Sequence, residues 1–134
     1  MSDTEQAKLL LQKANEDARA LAGMLDANTF SGEIFGFHAQ QAVEKALKAW
    51  LCVRGVAYPK THDLEALLSM LTDASEAVLD RFLSLDYLTD FGVQFRYGAF
   101  LDLGDELDRH EVVRDVNELV EHVEGLIRRT EQGN

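Results

Sequence analysis

Apolar residues in this chain recur at steps of three and four, and no segment sustains an alternation of period two. The pattern predicts helices and no sheet. A first helix is predicted to start near Ser2 to Thr4 and run to about Leu25, with Ala7, Leu11, Ala14, Ala18, Leu21 and Leu25 on one side. Asp3 and Glu5 suit the positive end of its dipole. Asp17 lies off this stripe and is read as a surface residue, the alternative being a partner for a basic group on a neighbouring helix. A short loop from Asp26 follows. Ser31 then caps a second helix that ends at Arg54, with Gly55 as the left-handed residue behind it. Beyond Pro59, Thr61 is predicted to cap a short third helix, with His62 and Asp63 in its first turn and Leu64, Leu67, Leu68 and Leu71 inside. DASE at 73–76 resembles a capping box and predicts a fourth helix striped by Val78, Phe82, Leu85 and Leu88. Residues 90–107 read as mainly irregular. DRHE at 108–111 is a second such box, opening a last helix to about Arg129 on Val112, Val116, Leu119, Val123 and Leu126. Gly125 inside that helix points to close contact with a neighbour.

These elements predict one all-α domain over residues 1–134, an up-and-down bundle of about five helices. Helices one, two, four and five build it, and the third is a side element. The second helix is its centre. On a wheel, Phe35, Ala39, Ala42, Val43, Ala46, Leu47, Ala49, Trp50 and Leu51 cover more than half the circumference, so the helix must touch several partners at once. His38, Gln41, Glu44, Lys45 and Lys48 share the remaining strip. Gln40 falls between Leu47 and Leu51, which makes it a buried amide or an interface residue. The doubly striped last helix has apolar surface to spare, and a homodimer is expected.

The formal net charge of −11 argues against broad binding to nucleic acid or an anionic membrane. The charge is uneven. Residues 35–62 hold Lys45, Lys48, Arg54 and Lys60 against Glu44 alone, a local +3. Such a patch suits a compact anion better than a polynucleotide. The single cysteine, Cys52, excludes an internal disulfide and sits among apolar neighbours as a plain half-buried thiol. No apolar run nears the roughly 20 residues that span a bilayer, and MSDTEQAK lacks the features of a signal peptide. A cytoplasmic protein is expected.

Candidate chemistry lies on the strip. Gln41, Lys45 and Lys48 fall on one line of the helix, with His38 and Glu44 beside them. Two lysines and an amide projecting together can hold a phosphate and hydrogen-bond a base or ribose; taken alone, they are better read as a solvated face with a Glu44–Lys48 pair. His62 sits where backbone N–H groups attract anions, and Asp63 suits a helix dipole or a lysine across the loop. Arg96 can bind phosphate or pair with Glu44, and Tyr97 can stack on a base or pack its ring. The four histidines show no metal-ligand spacing, no glycine-rich phosphate loop occurs, and no nucleophile motif supports a triad. No metal or cofactor is expected.

FHAQQAVEKALKAWL at 37–51, Gly55, PKTHDL at 59–64 and Arg96-Tyr97 together resemble the HEPN domain, over most of the chain. The resemblance implies a bundle of about five helices, commonly homodimeric, often encoded beside a minimal nucleotidyltransferase in a toxin–antitoxin type pair, with nucleotide binding as a proposed role. It carries over to Gln41, Glu44, Lys45, Lys48, His62, Asp63, Arg96 and Tyr97. Two departures matter. Many relatives are metal-independent ribonucleases marked by Arg, four to six residues, then His; counting from Arg96, those positions hold Leu101, Asp102 and Leu103. Gly98 also stands where a proline is expected after Arg-Tyr. The expected function is therefore a non-catalytic, nucleotide- or phosphate-binding partner of a nucleotidyltransferase. The alternatives are an RNA endonuclease with a non-standard site around Arg96 and His62, and a helical protein-interaction module without ligand.

Overall fold

The computed structural model describes residues 2–92 and 107–133. Three long helices make the body: α1 (Asp3–Ala22), α2 (Gly32–Val53) and α5 (Arg109–Glu131). Between α2 and α5 lie the short α3 (Leu64–Asp73), a single turn α4 (Asp80–Leu83) and a 3₁₀ segment at Ser84–Leu88. Residues 89–92 are helical again, and no strand occurs among the described residues. The all-α expectation holds.

Each long helix begins on a side-chain cap. Ser2 accepts from the Glu5 N–H, Ser31 from Ile34, and Asp108 from Glu111. The second helix closes as expected: Gly55, at φ +70°, donates to the Cys52 carbonyl, and the Val56 N–H reaches back to Leu51. α1 stops sooner than its stripe suggests. Gly23 turns the chain after Ala22, and Leu25 lies exposed beyond the helix.

Cross-chain bonds set the directions. The Cys52 thiol donates to the Asp3 carbonyl at 3.2 Å, so α2 runs antiparallel to α1. Burial raises that thiol's pKa, consistent with an unreactive packing residue. Arg109, at the start of α5, is buried. Its Nη1 and Nη2 donate to the Met24 and Phe30 carbonyls at 2.7 and 2.8 Å, and its guanidinium lies over the Phe35 ring. The capping motif alone gave no hint that this arginine clamps the α1–α2 loop. Lys8 pairs with Glu131 at the other end, so α5 also runs against α1.

Every apolar residue expected inside α2 is buried, from Phe35 to Leu51, as are the stripes of α3 and α5. α2 touches α1, α5, α3 and the 3₁₀ segment, which is why its apolar arc is so wide.

The fourth element departs from expectation. The 73–76 segment closes α3 instead of opening a helix. Ser75 takes φ +63°, and the Glu76 N–H returns to the Leu71 carbonyl. The Glu76 carboxylate is drawn away to accept from Trp50 Nε1 and Arg54 Nε, both at 2.7 Å. Phe82, Leu85 and Leu88 are buried as the stripe required, but on a broken element. An exposed Ser75 in the left-handed region carries a steric cost of roughly 1 kcal/mol. Ser75→Gly is expected to raise stability by about that amount and the melting temperature by about 3 °C, read by thermal unfolding.

Candidate functional site

Gln40 and Glu44 stand one turn apart on α2, and both are buried. Burial of an amide and a carboxylate together is tolerable only if each is saturated. They are. Glu44 Oε1 accepts from Gln40 Nε2 at 2.9 Å and from His62 Nδ1 at 2.8 Å, and Oε2 accepts from Lys48 Nζ at 3.0 Å. Gln40 Nε2 also donates to the His62 carbonyl, while its Oε1 accepts from Gln41 Nε2 at 2.7 Å. Both donors and the acceptor of this buried amide are thus engaged.

The Glu44 side chain is only 6% exposed. Burial pushes its carboxyl upward, yet the bonds from Gln40, Lys48 and His62 and the Lys48 charge outweigh this and hold it below the usual value. An ionised Glu44 can only accept, so His62 Nδ1 carries the shared proton. Lys48 also lies under the Tyr58 ring, 5.8 Å from its centroid.

A second carboxylate reaches the strip from α1. Asp17 accepts from Lys45 Nζ at 2.8 Å and from His38 Nδ1 at 3.1 Å. Asp17 is thus the partner of basic groups on a neighbouring helix and not a surface residue. It stands about 80° round α1 from the stripe and faces α2, and its partners lie 21 and 28 residues away. Both lysines of the strip are therefore paired, and the local excess of positive charge is smaller than counting residues 35–62 suggests.

The loop carrying His62 is fixed from both sides. Asp63, not Thr61, caps α3: Asp63 Oδ1 accepts from the Glu65 and Ala66 N–H groups, and Thr61 Oγ1 from the Asp63 N–H. His62 consequently precedes the helix instead of lying in its first turn, and Asp63 is engaged in capping. The Leu64 N–H donates to Thr89 Oγ1, tying α3 to residues 89–92. That stretch covers the site closely. A Cβ at Gly92 would stand 2.9–3.3 Å from the Gln40 amide, so only glycine fits there without displacing it.

Gln41, Glu44, Lys48 and His62 thus share one network through Gln40, and Lys45 belongs to the adjoining Asp17 pair. Arg96 and Tyr97 lie outside the described residues. Sequence reasoning left Gln40 and Asp17 out of the site. Gln40 was detectable, since a glutamine on an apolar face needs internal partners. No group of three or more potential metal ligands gathers among the described residues, and none of the helices searched there is long and apolar enough to cross a membrane.

An all-α domain with a buried carboxylate–amide network on its central helix, closed by a His-Asp loop, defines the class of protein. The chain belongs to the HEPN domain family, whose sequence model matches residues 7–126. No curated protein and no solved structure matches it.

Proposed function

We propose that this HEPN domain binds instead of cleaving: it takes a nucleotide, phosphate foremost, on the polar face of α2, as a homodimer and as partner of a minimal nucleotidyltransferase. The observation behind this reading is the Glu44 network. A carboxylate held ionised by three donors is a poor general base, but a good organiser of donors. It orients Lys48, His62 and, through Gln40, Gln41 along one edge of α2. Lys45 and Lys48 each have three N–H groups and give one to a carboxylate, which leaves donors for a phosphate. The spacing of arginine and histidine that marks the ribonucleases is missing after Arg96.

Melting curves of the pure protein with ATP and AMP test the reading. A rise in melting temperature is expected with at least one of them, and Lys45→Ala should remove most of it. No response to either nucleotide would overturn direct binding. RNA should survive incubation with the protein; cleavage that disappears in Arg96→Ala would instead revive the endonuclease. Co-expression with a minimal nucleotidyltransferase should yield a joint peak on size exclusion, and two separate peaks would remove the partnership.

A further inference from the structure

A second set of cationic groups lies away from the polar face of α2. They gather where the C-terminal ends of α2 and α5 meet α4, roughly 120° round α2 from Glu44 and Lys48. His122 of α5 packs its ring against Trp50, with centroids 4.8 Å apart, and against Phe82 at 5.6 Å. Arg81 lies over the Phe82 ring, 5.5 Å from its centroid. Arg54 stands one turn after Trp50 and shares Glu76 with it. Arg129 folds back along α5, and its Nη1 lies 3.2 Å from where a Cβ of Gly125 would be. Gly125 therefore makes room for a guanidinium and not, as its sequence context suggested, for a neighbouring helix.

We propose that His122 with Arg54, Arg81 and Arg129 forms an anion site for a small phosphate-bearing ion. The ion pairs here leave the site's donors available. Arg54 meets Glu76, and Arg81 meets Glu118, each through Nε, and a guanidinium carries four further N–H donors on its Nη atoms. Arg129 makes no ion pair among the described residues. At His122 itself the three guanidiniums oppose the Glu76 carboxylate, while Glu118 pairs with Arg81 and Glu124 with Arg128. Cations at helix ends are ordinary, and dipole compensation accounts for Arg54 and Arg129 singly. It does not account for their grouping: Arg81 lies over the Phe82 ring that His122 touches, and Arg54 shares Glu76 with the Trp50 that His122 touches. Glutamates flank the cluster at 121 and 124, which favours a compact free anion over a polynucleotide.

The arrangement has a built-in reporter. Burial, and then Arg129, Arg54 and Arg81 against the opposing Glu76, lower the His122 pKa. An anion bound among the guanidiniums reverses that effect. Phosphate should therefore raise the titration midpoint of His122, and affinity should grow as pH falls through it.

The test is nuclear magnetic resonance of the histidine rings during titration with inorganic phosphate, against chloride at equal ionic strength. Sulfate, which keeps its charge through this range, separates protonation of the protein from that of the ligand. Saturable movement of the His122 signals is expected, with a raised midpoint in sulfate as well. Arg129→Gln and Arg81→Gln, both exposed positions, should each weaken binding about tenfold, while Lys45→Ala changes nothing. His122 signals that ignore phosphate, or respond equally in the Arg81→Gln/Arg129→Gln double variant, overturn the site. Movement at His38 and His62 alone would do so too, and would leave the nucleotide reading on α2 intact.

Discussion

Glu44→Ala is expected to destabilise the protein by about 3 kcal/mol at neutral pH, a large part of the stability of an ordinary domain. The loss comes mainly from what is left behind. Lys48, with a side chain 14% exposed, loses its carboxylate partner, and Gln40 Nε2 keeps only the His62 carbonyl. His62 is half exposed and recovers most of its loss from water. If stranding is the cause, Glu44→Leu/Lys48→Leu should cost less than Glu44→Ala, since no ammonium then remains unpaired. Urea unfolding of the three proteins decides it, and a single-variant cost below about 1 kcal/mol would mean that solvent reaches the carboxylate.

The same network sets an acid limit. Glu44 titrates below its ordinary value of 4.5 in the folded protein, so the folded state binds fewer protons than the unfolded chain near that pH. Its contribution is complete above the ordinary value and disappears as pH falls through the folded one. Glu76 acts in the same direction, its burial outweighed by Arg54 and Trp50. The stability gap between wild type and Glu44→Gln should accordingly be constant above about pH 5.5 and close below about pH 4.5.

The wheel of α2 was legible from the sequence because burial there follows a single local period. The environment of Glu44 was not. Its strip position is correct, but the loop at His62 and the 89–92 stretch cover that strip, and a helical wheel contains neither. Asp17 shows the same limit: nothing in α1 says that an off-stripe carboxylate will meet Lys45. Glu76 failed for a different reason. DASE has the chemistry of a cap, but a cap works only if its carboxylate is available, and Trp50 and Arg54 hold this one. Sequence patterns were dependable where one element decided the outcome, and misled where two competed for a side chain. The HEPN resemblance rested on α2 and THDL, the segments now joined through Gln40, Glu44 and His62.

Gly36→Val is expected to cost about 3 kcal/mol, although replacing a mid-helix glycine usually stabilises. A Cβ at residue 36 would fall 2.1 Å from Phe91 Cδ1 and within 2.6 Å of two further ring atoms. The ring is buried, and no small rotation of a flexible tip relieves the overlap. Phe91 must leave its seat, forfeiting roughly 1.5–3 kcal/mol of burial, with backbone strain added. Phe91→Ala alone should cost about 3 kcal/mol through the cavity it opens. Combined, the two changes should be far from additive, because valine at 36 then occupies space the ring has vacated. A double variant no less stable than Phe91→Ala is the expected result, and simple addition of the two losses would sink the contact. The consequence reaches the site. Phe91 seats the stretch whose Gly92 backbone lies on Gln40 and whose Thr89 holds the start of α3. Gly36→Val should therefore expose Gln40 and loosen the His62–Glu44 bond. Faster hydrogen exchange at the Leu64 amide would report that before global unfolding does.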